Sequence, residues 1–319
     1  MPMPSSNIAV RLLYILLGMI LLGIAHDGLS EADAPYLYVL GTAQDAGFPQ
    51  AGCYQSHCMP GWNDADKRIF ATSLAMVDPS KRKKYLFEAT PNFPEQLYML
   101  EQQAPASDGF SLEGIFITHA HMGHYSGLMY LGREVMGSEQ VPVYLMPKMA
   151  HFIRNNGPWS QLVDLNNIVV MPLADKTSII FDSLSIAPFL VPHRDEFSET
   201  VGFLIQGNNK TALFIPDINK WSRWDKDIAE EIKQVDYALI DATFYGQGEL
   251  PGRDMSKIPH PLVTETMTLL TRLPKAERNK VWFIHMNHTN PLLDTNSDET
   301  KFVEAQGFNI ARTGMRFPL

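Results

Sequence analysis

At 319 residues, 45% hydrophobic and 19% charged, the chain has an ordinary globular composition and room for one large domain or two small ones. A formal net charge of -9 with no extended basic patch argues against nucleic acid as a partner, because phosphate binding needs a clustered positive surface. Neither an internal repeat nor a low-complexity tract interrupts it.

In chain order, Arg11 precedes the uncharged run Leu12–Ala25. Its length suits the apolar core of a secretory signal and is short for a bilayer-spanning helix. Gly23-Ile24-Ala25 offers a cleavage site, and Ala32-Asp33-Ala34 a second one that the following Pro35 disfavours. Residues 1–25 therefore read as a signal peptide or an uncleaved anchor, which makes the protein exported, either periplasmic or secreted. Any membrane attachment runs through this segment alone, and the folded domain is expected over 35–319.

Tyr36–Leu40 reads as the first strand, leading into a loop from Gly41 to Gln50. The two cysteines, Cys53 and Cys58, favour a disulfide in an oxidising compartment. With His57 beside them, a minor metal site is the alternative, and plain thiols a third. Ile69–Val77 and Tyr85–Phe87 read as strands joined by the basic turn Lys81-Arg82-Lys83-Lys84, taken as a solvated hairpin tip. Helical spacing follows over Pro94–Gln103. The strand Ile115–Ile117 runs into Thr118-His119-Ala120-His121-Met122-Gly123-His124, with a helix expected over Gly127–Met136. Further on, strands are expected at Pro142–Met146, Ile168–Met171, within Ile179–Leu190, and at Val201–Ile205, Thr211–Ile215, Tyr237–Asp241 and Val281–Ile284. Helices are expected at Lys148–Arg154, Lys226–Gln234 and Leu262–Leu273. Such alternation without a Pro/Gly-rich linker implies a single layered α/β domain.

The chemistry is concentrated at strand ends. His119, His121 and His124 put three imidazoles on one loop, in a chain with only 10 histidines, and imidazole is the commonest protein ligand for zinc and suits iron as well. His193, Asp217 and His285 each follow a strand, where a rigid element delivers a side chain to one edge. Taken singly, each reads as a hydrogen-bonded residue; together with the histidine loop they read as a metal site.

Those residues resemble the metallo-β-lactamase-fold family, whose signature is H-x-H-x-D-H after a strand, then a distant His, a bridging Asp and a last His. The resemblance implies a four-layered αββα sandwich over the mature chain. It also implies one or two zinc ions, with iron as alternative: His119, His121 and His193 at the first, and His124, Asp217 and His285 at the second, with Asp217 bridging. A narrower similarity is to the coenzyme PQQ synthesis protein B branch, carried by Gly47-Phe48-Pro49-Gln50 before the cysteines, by Phe244–Asp254 and by Phe283–Leu292. One departure stands out: Gly123 occupies the place of the signature Asp. His288 and Asp241 are the candidates to complete or support the second site, Asp241 more as support, and Gly123→Asp is expected to strengthen that site. His260, between two prolines, reads as a surface residue, with a stiff loop overhanging a pocket as the alternative.

The function implied is a metal-dependent hydrolase using a metal-bound hydroxide, with Asp217 as general base, on a small ester, amide, lactone or phosphodiester. The alternatives are a non-haem metal-dependent oxidoreductase related to PQQ biosynthesis, and a non-catalytic binding protein that kept the fold. The oligomeric state is not written in the sequence.

Overall fold

The computed structural model describes Met1 and residues 34–319 apart from Ser183 and Asp195. The apolar run of Leu12–Ala25 and both cleavage-site options before Ala34 lie outside the described residues. Ala34–Leu319 form one compact unit.

Among the described residues, fourteen strands carry it: β1 (Tyr36–Gly41), β2 (Ser73–Asp78), β3 (Lys83–Phe87), β4 (Ser111–Phe116), β5 (Val141–Leu145), β6 (Ile168–Pro172), β7 (Ile179–Phe181), β8 (Leu184–Leu190), β9 (Val201–Gln206), β10 (Thr211–Ile215), β11 (Tyr237–Asp241), β12 (Val281–Ile284), β13 (Asn309–Ile310) and β14 (Arg316–Pro318). They pair into two seven-stranded sheets, β14-β1-β2-β3-β4-β5-β6 and β13-β12-β11-β10-β9-β8-β7. Each sheet is mixed. In the first, β1, β2, β3 and β14 run antiparallel to their neighbours, and β3 through β6 run parallel. In the second, β7 through β10 are antiparallel and β10 through β13 parallel.

The strand sequences are almost wholly apolar because both faces of each sheet are covered, so the usual alternation of apolar and polar residues is lost. The period of two survives as a choice between two cores. On β10, Ala212 and Phe214 pack between the sheets, while Leu213 and Ile215 face helices Ile228–Lys233 and Val263–Leu270. On β4 and its neighbours, Phe87, Phe116 and Tyr144 point inward, while Leu86, Ile115 and Val143 meet helices Phe93–Gln103 and Pro147–Asn155. Helices thus cover both outer faces of a two-sheet core.

Two expectations need correction. The helix expected over Gly127–Met136 is a 3₁₀ stretch, Ser126–Leu131, followed by turns. Gly127 gives its N–H to Ala89 O, and a Cβ there would meet Thr90 O at 2.2 Å, so the segment is pressed against the neighbouring loop; Gly132 and Gly137 weaken a helix further. The basic turn is not all solvated: Lys84 lies in β3, 4% exposed, with its Nζ donating to Glu101 Oε2 and Ala104 O, both at 2.7 Å.

Phe87 is central to the inter-sheet layer, with ring centroids 5.3 Å from Phe116, 5.4 Å from Phe203 and 6.1 Å from Phe214. Phe87→Ala is expected to cost about 3–5 kcal/mol, the range for emptying a buried aromatic site. A urea denaturation midpoint equal to that of the unsubstituted protein would contradict this placement.

Candidate metal centre

The parallel strands of both sheets end toward one edge, and loops leaving β3, β4, β10, β11 and β12 meet there, joined by the loop after β8. Binding groups gather at such an edge because several rigid strands each deliver one loop.

From β4 come His119 and His121, from β8 His193 and from β10 Asp217. His119 Nε2 is 2.8 Å from His121 Nδ1, which is 3.3 Å from His193 Nε2. Asp217 Oδ2 closes the ring, 3.3 Å from His119 Nε2 and 3.2 Å from His193 Nε2. Tetrahedral bonds of about 2.0–2.1 Å place donors roughly 3.3 Å apart, so these spacings match the edges of a zinc-sized coordination shell. The chemistry of the donors fits as well: three imidazoles and one carboxylate, mostly buried.

Neighbouring groups fix the rings. His119 Nδ1 lies 2.8 Å from Thr118 Oγ1, which orients Nε2 toward the cluster. Burial, then the nearby His124, holds His119 well below its ordinary pKa, and burial depresses His121 to about 4. Both rings are therefore neutral at physiological pH with a lone pair available. Burial alone would raise Asp217, but His193 and His260 hold it well below the usual carboxylate range.

A second group adjoins the first. His124 (1% exposed) and His285 (0%) face each other with centroids 5.2 Å apart, and the Nε2 of each is buried without a hydrogen-bond partner. His285 Nδ1 is 3.0 Å from Thr243 Oγ1, and the residue has φ 69°, a left-handed conformation that histidine tolerates better than most. Behind His124 stands Glu88, fully buried, with Oε1 3.4 Å from Nδ1. Burial opposes charge on His124, but Glu88 and then Asp217 and Asp45 outweigh it and raise the ring to about 9. Glu88 was missed in the sequence; it follows β3 with φ 75° and its Oε2 accepts from Thr118 N–H at 3.3 Å.

His260, read from sequence as a surface residue, is buried at the site. Its Nδ1 lies 2.9 Å from Asp241 Oδ2 and 3.2 Å from Asp217 Oδ1. Burial resists its charge, yet Asp241 and Asp217 raise it to about 9. The signal was the flanking prolines: Pro259 O accepts from Lys220 N–H and pins the segment over the Asp217 loop. Asp241 is fully engaged as support, accepting from Ile218 N–H, Thr243 N–H and Oγ1, and facing His260.

His288 does not join His124 and His285. It stacks on His57, centroids 5.5 Å apart, beside Cys53 and Cys58, and its Nδ1 faces Asn287 Oδ1. Cys53 and Cys58 are joined as a disulfide, which removes their thiolates as donors. Asp45, from the turn after β1, is the carboxylate found near His124 instead, with Oδ1 3.8 Å from Nε2.

Gly123 has a steric cause. A Cβ there would lie 2.4 Å from Asp45 Cα and 2.9 Å from Asp45 O. Gly123→Asp is thus a disruptive change, which overturns the expectation that it would build a site. Overpacking against backbone is expected to cost about 1–3 kcal/mol. An unfolding midpoint unchanged or raised in Gly123→Ala would refute the clash.

Residues 83–286 match the family described as Beta-lactamase superfamily domain. Coenzyme PQQ synthesis protein B of Methylobacterium sp. (strain 4-46) is 25% identical over 305 residues, covering 88% of this chain and 99% of that protein. Among solved structures, Zn2+-bound PqqB from Methylobacterium extorquens superposes with a TM-score of 0.73 at 22% identity, covering 89% of this chain and 100% of that one. A diphosphatase from the PhnP family gives 0.60 at 20% identity, covering 89% and 97%.

Proposed function

The chain belongs to the beta-lactamase superfamily, with a PqqB-like metallo-β-lactamase fold, and on that premise we propose that it is a zinc-dependent hydrolase of small molecules. One observation carries the reading: His119 Nε2, His121 Nδ1, His193 Nε2 and Asp217 Oδ2 converge at coordination spacing in a buried setting. Zinc is favoured by that donor set and by the Zn2+ of the PqqB that shares the fold.

A zinc ion there would supply Lewis acidity toward a substrate carbonyl or phosphoryl oxygen and would acidify a water. The chain's own part is to hold the reactants. Neutral His119 and His121 present lone pairs at a fixed spacing. Asp217 stays ionised, Oδ2 toward the imidazoles and Oδ1 toward His260. A carboxylate with so low a proton affinity orients a water better than it stores that water's proton, since an efficient base has a pKa near the working pH. His260, raised to about 9 with its Nδ1 facing Asp217 Oδ1 and Asp241 Oδ2, already holds its proton at neutral pH, so its part is to keep Asp217 ionised and to donate a proton to a leaving group rather than to take one from water.

The substrate class proposed is an ester, amide, lactone or phosphodiester. Export is proposed from the Leu12–Ala25 run together with the Cys53–Cys58 disulfide, a bond that oxidising compartments favour. A second reading, iron-dependent oxidative chemistry in the same donors, is favoured by relatives that bear the name Coenzyme PQQ synthesis protein B.

The test is His121→Ala assayed for zinc content and for hydrolysis of a panel of lactones, esters and phosphodiesters. Zinc affinity and turnover are expected to fall more than about a hundredfold, since losing even an outer partner of a ligand costs roughly 10–100-fold. Hydrolysis that survives complete metal removal would contradict the proposal, and oxygen uptake by an iron-loaded protein would favour the second reading.

A further inference from the structure

Asp45 and Gly123 compete for one space. The Asp45 turn packs so closely on residue 123 that a Cβ would sit 2.7 Å from Asp45 Oδ1 as well as 2.4 Å from its Cα. The position beside His124 therefore carries no side chain, and a carboxylate from another loop stands next to it. Donor atoms of Asp45, His124 and His285 all lie within 4.8 Å of one another. His124 Nε2 and His285 Nε2 are buried in bare contact with this space and receive no hydrogen bond. Two buried imidazole nitrogens without a hydrogen-bond partner and a carboxylate within 4.8 Å of them form a donor set for a divalent cation, which would displace the second proton of the His124 ring.

The turn is held where it is. Gln44 N–H donates to Met286 O at 2.8 Å, and Met286 N–H to Thr42 O at 2.9 Å. These bonds fasten the β1 turn to the segment that begins with His285. Asp45 itself has φ 42°, a left-handed backbone that aspartate adopts more readily than most residues.

We infer that Asp45 is the carboxylate ligand of a second divalent-metal site, with His124 and His285. It adjoins the first through Asp217, whose Oδ2 is 3.8 Å from His124 Nε2. The inference rests on the proposed reading of the first donor set as a zinc site. It also sets an order of affinity. The first site draws on mostly buried donors, whereas the Asp45 side chain is 44% exposed and belongs to a turn, so the second ion is bound more weakly and lost first.

The experiment is a zinc titration of metal-free protein, with elemental analysis after dialysis, on the unsubstituted chain, Asp45→Asn and His121→Ala. Asp45→Asn keeps the shape of the side chain, and a matching circular dichroism melt of the metal-free forms shows that the fold is retained. The unsubstituted chain is expected to bind two ions of unequal affinity. In Asp45→Asn the weaker ion is expected to loosen by more than about a hundredfold while the tighter one stays, and His121→Ala is expected to lose the tighter one. Two ions at undiminished affinity in Asp45→Asn, or a single ion in the unsubstituted chain, would overturn the assignment of Asp45 and leave the hydrolase reading standing. No bound zinc in the unsubstituted chain would overturn both.

Discussion

Six side chains able to bind a metal, His119, His121, His193, Asp217, His124 and His285, are packed into one edge of this molecule, and the rest of the structure serves to hold them there. Ring nitrogens of His119, His121 and His193 approach within 3.3 Å of a neighbour, closed off by Asp217. The Nε2 atoms of His124 and His285 are buried without a hydrogen-bond partner, and an unpartnered buried group costs on the order of 1–3 kcal/mol, a cost that a shared cation would offset. Two sheets make the arrangement possible: β4 belongs to the first and β8, β10, β11 and β12 to the second, so their end loops meet only when the inter-sheet core is closed.

Around the donors runs a set of groups that do not bind but aim. Thr118 and Thr243 hold the far nitrogens of His119 and His285, Glu88 stands behind His124, and Asp241 collects the backbone of the Asp217 loop along with His260. Of the ligands and their supports together, Asp45, Glu88 and His285 hold left-handed backbone conformations without being glycine. Strain of this kind survives where surrounding structure dictates it, and here it lies at the ends of strands that carry the site.

Much of this was legible in the sequence, and the illegible part has one physical origin. Histidines after β-branched runs and the strand-terminal Asp217 announce themselves locally, because period and composition mark the strand that delivers them. The apolar strands were readable too, although which residues face which core was not, since a strand covered on both sides loses its alternation. Asp45 and Glu88 left no such trace, and His260 left only its flanking prolines. Each reaches the cluster through a loop contact distant in sequence: Gln44 with Met286, Glu88 with Thr118, Pro259 with Lys220. Gly123 is the sharpest instance. Its missing side chain looked like a lost ligand, whereas the fold shows a space already filled by Asp45.

The central claim is that His119, His121, His193 and Asp217 together hold a metal ion, and the most direct measurement is anomalous diffraction above the zinc edge from crystals grown with zinc. The account requires an anomalous peak within about 2.0–2.2 Å of His119 Nε2, His121 Nδ1, His193 Nε2 and Asp217 Oδ2, at full or near-full occupancy. A map with no peak among these four atoms in fully zinc-saturated crystals would contradict it.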